Sequence, residues 1–230
     1  MGQAKIKRNR QRAEAEKRQA DTLSQPAISI PPPSKPVITI KIDYDEVPIE
    51  KRSDPRFIGL LNYMQRRLSN PNEITAICIH EAAHALFLQI AGMQNFTFSG
   101  PQITYDQATN TFDYTGASVK GTDWNTGYLT TINAGQWVTA AALAYVGAGI
   151  AVEELTSRTD NGDFGDRKNF NKAFEMLRNK HPELFPSDFN LDAFWLKAGK
   201  RAKEYLQRPN IRQAILNTAA KIRDPLFVKI

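Results

Sequence analysis

The chain has 230 residues, enough for one large domain or two small ones, and 41% hydrophobic with 23% charged residues excludes a collagen-like or wholly disordered chain. Of its net charge of +6, residues 1–20 carry +5, with seven Lys and Arg against Glu14 and Glu16. The remaining 210 residues are therefore nearly neutral and do not imply a nucleic-acid-binding surface. A single cysteine, Cys78, excludes an internal disulfide and a multi-cysteine zinc finger or ribbon.

The basic N-terminus runs into polar sequence, without the apolar stretch of a secretion signal, and Ile6 stands where a myristoylation motif wants Ser or Thr. Residues 1–20 are polar all round, and six of the thirteen prolines follow between Pro26 and Pro48. This composition predicts a disordered basic arm and an extended Pro-rich linker over residues 1–36, with a folded domain over 37–230. Alternation from Val37 to Tyr44 predicts a strand. Asp54 then predicts a helix N-cap, followed by Pro55 and a core-facing stripe of Phe57, Ile58, Leu60, Leu61, Met64 and Leu68. Asn70, Pro71 and Glu73 announce a second helix with a capping box, and Gly92 supplies its stop.

From Asn95 to about Val119 short alternating segments flank a turn at Asn110, which predicts a hairpin or small sheet. Helical patterns resume near Ala134 and continue to Ile222. The longest apolar run, Trp137 to Val152, is short of a membrane span and reads as a buried helix of a soluble, cytoplasmic protein. The expected fold is α+β, mostly helical, with a small sheet near its start.

Within the second helix stands His80-Glu81-Ala82-Ala83-His84. Histidines four residues apart share one helical face, so both imidazoles can reach one ion, and Glu81 is placed to act as a general base. This is the HExxH signature of zinc metallopeptidases, and two of the chain's three histidines form it. A catalytic zinc also needs a third protein ligand. Phe87 and Ile90 occupy the positions where metzincins carry their Gly and third His. Asp123, in Gly121-Thr122-Asp123, narrowly misses the aspzincin pattern. His181 reads as a helix-end residue and Cys78 as a small buried apolar one. Asp166, Asp163, Asp160, Glu153 and Glu154 are the remaining candidates.

In its order of motifs the chain resembles the peptidase domain of FtsH-type ATP-dependent zinc proteases. That family pairs a His-Glu-Ala-Gly-His helix with a later Gly-x-Ala-x-Glu-Glu helix, and a Gly-x-x-x-Asp loop then supplies the third ligand. Here His80, Glu81 and His84 fall on the first motif, Gly149, Ala151, Glu153 and Glu154 on the second, and Gly162 and Asp166 on the third. The resemblance spans roughly residues 70–177, with Ala83 in place of a glycine and Ile150 in place of an arginine. It implies a zincin-like domain holding one Zn2+ through His80, His84 and Asp166. Glu81 would be the catalytic base, and Glu153 and Glu154 supporting residues. The implied reaction is metal-assisted hydrolysis of a polypeptide substrate, with Glu81 taking a proton from water and passing it to the leaving amine. An extended peptide would lie along a sheet edge, supplied by Gln102–Tyr105 or Tyr114–Lys120.

No Gly-x-x-x-x-Gly-Lys-Ser/Thr loop occurs, so the expected domain has no ATP site and lacks the family's ATPase motor. That leaves room for a separate ATPase or an oligomerisation partner. A catalytically silent interaction domain that keeps the peptidase fold is the alternative reading. The arm has seven cations but no aromatic residue for base stacking. Contact with nucleic acid or an anionic membrane therefore competes with a plain solvated tail.

Overall fold

The computed structural model describes residues 41–92, 96–121, 134–158, 163–185 and 187–227. The chain divides into two units, Met1–Val37 and Ile38–Ile230, of which the first lies outside the described residues. The described part is mostly helical with a small antiparallel strand set, as the sequence predicts.

Of the strand expected over residues 37–44, only residues 41–44 are described, and they form no strand. Asp43 instead makes one isolated parallel bridge to Gln102: its N–H donates to Pro101 O at 2.9 Å and its carbonyl accepts from Ile103 N at 2.7 Å. A turn closed by Val47 N–H on Tyr44 O then ends any pairing.

Helix α1 (Pro55–Leu68) starts where Asp54 accepts from Arg56 N at 2.9 Å, with Pro55 in the first turn. It buries Phe57, Met64 and Leu68, but Ile58, expected in the stripe, is 45% exposed. Helix α2 (Pro71–Ile90) starts where Asn70 accepts from Asn72 N, and its chain leaves through Gly92 at φ +92°, a conformation glycine adopts without strain. The expected capping box does not form, because the Glu73 carboxylate is turned to Arg67 and Arg158.

Four short strands follow: β1 (Phe96–Ser99), β2 (Gln102–Asp106), β3 (Thr111–Thr115) and β4 (Ser118–Gly121). β2 and β3 form the predicted hairpin, with Asn110 at φ +53° in its turn. The hairpin is nested between β1 and β4, which pair antiparallel from Phe96 opposite Gly121 to Ser99 opposite Ser118. A small core of Val47, Phe57, Met64 and Ile103 joins the hairpin to α1.

Helices α3 (Ala134–Thr156), α4 (Asp163–Lys180), α5 (Leu191–Leu206) and α6 (Pro209–Phe227) complete the fold. α3 packs on α2, α4 and α5, and α6 packs on α2. Ala141, Ala144, Ala148 and Ala151 are fully buried and let α3 approach its neighbours closely. Residues Val138–Thr156 are long and apolar enough to cross a membrane by length and composition, yet 61% of that stretch is buried inside the protein. Its apolar surface is thereby satisfied as core.

Candidate metal centre

α2 is apolar almost all round and sits between α3 and α6, so burial there is general. His80, Glu81 and His84 are its exceptions, polar side chains in residues only 8%, 6% and 6% exposed. Ionisable groups this deep require partners or a ligand. The four-residue spacing stacks the imidazoles on one face, with their Nε2 atoms 2.9 Å apart.

α4 brings the third group. Asp166 lies in its first turn, and its Oδ2 is 3.0 Å from His80 Nε2 and 3.1 Å from His84 Nε2. The three donor atoms thus form a nearly equilateral triangle. Zinc bonds of about 2.0–2.1 Å in tetrahedral geometry separate their donors by roughly 3.3 Å, so the triangle matches one metal ion to within a few tenths of an ångström. Although both nitrogens are close, Asp166 Oδ2 is buried and receives no hydrogen bond of sound geometry. A buried carboxylate oxygen placed this way beside two imidazole nitrogens is a donor set able to hold a cation. Among the described residues, His80, His84 and Asp166 form the group able to hold a metal ion.

Electrostatics prepare these groups differently. Burial pushes the Asp166 carboxyl up, but the two imidazoles outweigh it and hold the group down at about 2. It is therefore anionic throughout the neutral range. Burial raises the Glu81 carboxyl, with Asp166 adding to the rise, while the imidazoles and the backbone N–H of Val119 in β4 oppose it. β4, which carries Val119, packs over α2.

The other candidates fall elsewhere. Glu153 and Glu154 are exposed on α3, and Glu154 lies 3.9 Å from Arg212 on α6. Asp163 opens α4, while Asp123, Asp160 and Gly162 lie outside the described residues. His181 caps a short 3-10 turn and faces Glu183 at 3.4 Å, and Cys78 is buried in the core.

Three contributors were invisible to sequence reasoning. The ring of Tyr145, on α3, meets that of His84 edge-on at 5.3 Å and packs on Phe170 of α4. The Val119 N–H favours the charged form of Glu81. Arg158, two residues beyond α3, donates to Glu73 at 2.8 Å. None of the three carries a local sequence signal, since each acts across the fold.

Comparison with protein-family models, curated proteins and solved structures gives no match.

Proposed function

We propose that this chain carries a zincin-like metallopeptidase domain, similar in its site to the peptidase domain of FtsH-type proteases and without their ATPase motor. In this reading His80, His84 and Asp166 hold one Zn2+ per chain and Glu81 is the general base. The observation that carries it is the Asp166 Oδ2 atom, buried without a hydrogen bond and 3.0–3.1 Å from both histidines of an HExxH helix.

A divalent metal at such a site supplies Lewis acidity, polarising a carbonyl oxygen and acidifying water. Imidazole with carboxylate suits zinc, although the same donors also accept other divalent ions. Glu81 follows the first ligand on the same helix, and the nearby Val119 N–H favours its charged form. Its carboxylate is thereby positioned to accept a proton at Oε and return it to a departing amine. β4, which carries Val119, is the natural neighbour for an extended polypeptide substrate, because strand addition satisfies main-chain groups on both partners. With α3 a core helix, the reading is of a soluble, cytoplasmic enzyme.

Glu81→Gln tests this directly. The variant should keep its metal and lose about 100-fold or more in peptide hydrolysis. Unchanged hydrolysis would remove Glu81 from the mechanism. A wild-type protein that binds zinc but cleaves nothing in a broad peptide library would favour the silent interaction domain.

A further inference from the structure

α2 carries His80 and His84 and α4 carries Asp166, yet among the described residues these helices pack on α3 rather than on each other. The triangle of donor atoms therefore depends on what α3 places between its two neighbours. Alanines dominate that stretch: Ala141, Ala142, Ala144 and Ala148 are fully buried, so the helices beside them come close. Tyr145 is the ring among them.

That ring touches both ligand-bearing helices. On α2 it meets the His84 imidazole edge-on, with centroids 5.3 Å apart and planes at 79°. His84 in turn meets His80 edge-on at 4.6 Å. On α4 it meets the fully buried Phe170 at 6.3 Å. Phe170 follows Asp166 by four residues, one turn along the same helix face. It also packs on Trp195 of α5 at 5.0 Å, and Arg167, the residue after Asp166, lies over that Trp195 ring at 4.4 Å. Rings thus run in sequence from the two histidines, through Tyr145, to the start of α4. Edge-to-face pairs have preferred distances and angles, so a ring fixes such a separation more tightly than a flexible side chain does. Burial, and then the carboxylates of Asp166 and Glu81, push the phenol up to about 12, so it takes part as a neutral ring.

We infer that Tyr145 is a positioning residue of the candidate metal centre: its ring, packed between His84 and Phe170, sets the separation of the two histidines on α2 from Asp166 on α4. The inference rests on the reading of those three residues as a metal site. Metal–donor distances tolerate only about 0.2 Å, so a ring that fixes this separation governs affinity and coordination geometry without touching the ion.

Cobalt(II) titration of the metal-free full chain tests this, because cobalt's visible bands report coordination geometry as well as affinity. Wild type and Tyr145→Phe, which keeps the ring, should give the same spectrum and affinities within about twofold. Tyr145→Leu and Phe170→Leu open the ring sequence at its middle and at its α4 end. Each should bind about tenfold or more weakly, with altered bands, and the second carries the test should the first fail to fold. Phe57→Leu makes the same truncation in the separate small core under the hairpin. It should lower the melting temperature and leave cobalt binding unchanged. Wild-type spectra and affinities in the leucine variants at 145 and 170 overturn the positioning role, and so does an equal loss in Phe57→Leu. Tyr145→Phe as weak as Tyr145→Leu also overturns it, because the hydroxyl and not the ring would then be acting. No cobalt bound by wild type overturns the metal reading itself.

Discussion

Arg158 donates from Nη2 to Glu73 Oε2 over 2.8 Å, tying the chain just beyond α3 to the first turn of the helix that carries His80 and His84. Glu73 also accepts from Arg67 of α1, so one carboxylate joins three helical regions. Arg158 stands eight residues before Asp166, and the pair fixes where the chain departs toward the third member of the candidate metal group.

Glu73→Gln should therefore cost more stability than Arg158→Met, because it leaves two guanidinium groups without their carboxylate. Chemical denaturation of both single variants and the double variant should give a coupling of about 0.5–1 kcal/mol, modest because Arg158 is partly exposed. Zinc affinity should fall severalfold in each. Additive losses with unchanged affinity would show that the two residues act separately.

Asp54 gives a pH prediction with a definite sign. Arg56 beside it, through side chain and backbone N–H, lowers its carboxyl from 3.8 to about 2. A depressed acid adds stability that is complete above its unfolded value and lost as pH falls toward the folded one. Asp54→Asn keeps the capping oxygen but removes the charge. Wild type should melt higher than the variant at pH 5, with the gap closing between about pH 4 and pH 2. A gap that stays constant with pH would remove this ion pair from the acid response.

At Gly147, α3 approaches Phe87 of α2 closely. A Cβ added there would lie 2.5 Å from Phe87 Cε2 and 2.6 Å from its Cδ2, and Phe87 is fully buried one turn after His84. Gly147→Ala gains at most about 1 kcal/mol in helix propensity, against an overpacking cost of about 1–3 kcal/mol. A net loss of about 1–2 kcal/mol in urea unfolding is expected. Stabilisation would mean that the two helices part easily.

Much of the helical scaffold was legible because its signals are local. Asp54-Pro55 and Asn70-Pro71 place a side-chain acceptor and a proline where two helices begin, and both acceptors are used as read. The hairpin was legible from alternation around Asn110. Local pattern failed where tertiary demand prevailed. Residues 41–44 alternate like a strand, but among the described residues their backbone pairs with distant segments only in an isolated bridge to Gln102 and a single bond from Lys41 N–H to Phe227 O. Ile58 fits a helical stripe yet faces solvent, and Glu73 fits a capping box yet serves two arginines. At the centre, four-residue spacing placed His80 and His84 together. No spacing rule links either to Asp166, which entered through the order of motifs, and Tyr145 and Val119 entered only with the fold.

The metal centre is most directly tested by elemental analysis of wild type and Asp166→Ala, purified identically and supplied with zinc. About one zinc per chain is expected in wild type, lost or markedly weakened in the variant. Zinc held equally by both proteins would contradict Asp166 as a ligand, and no metal in either would contradict the centre.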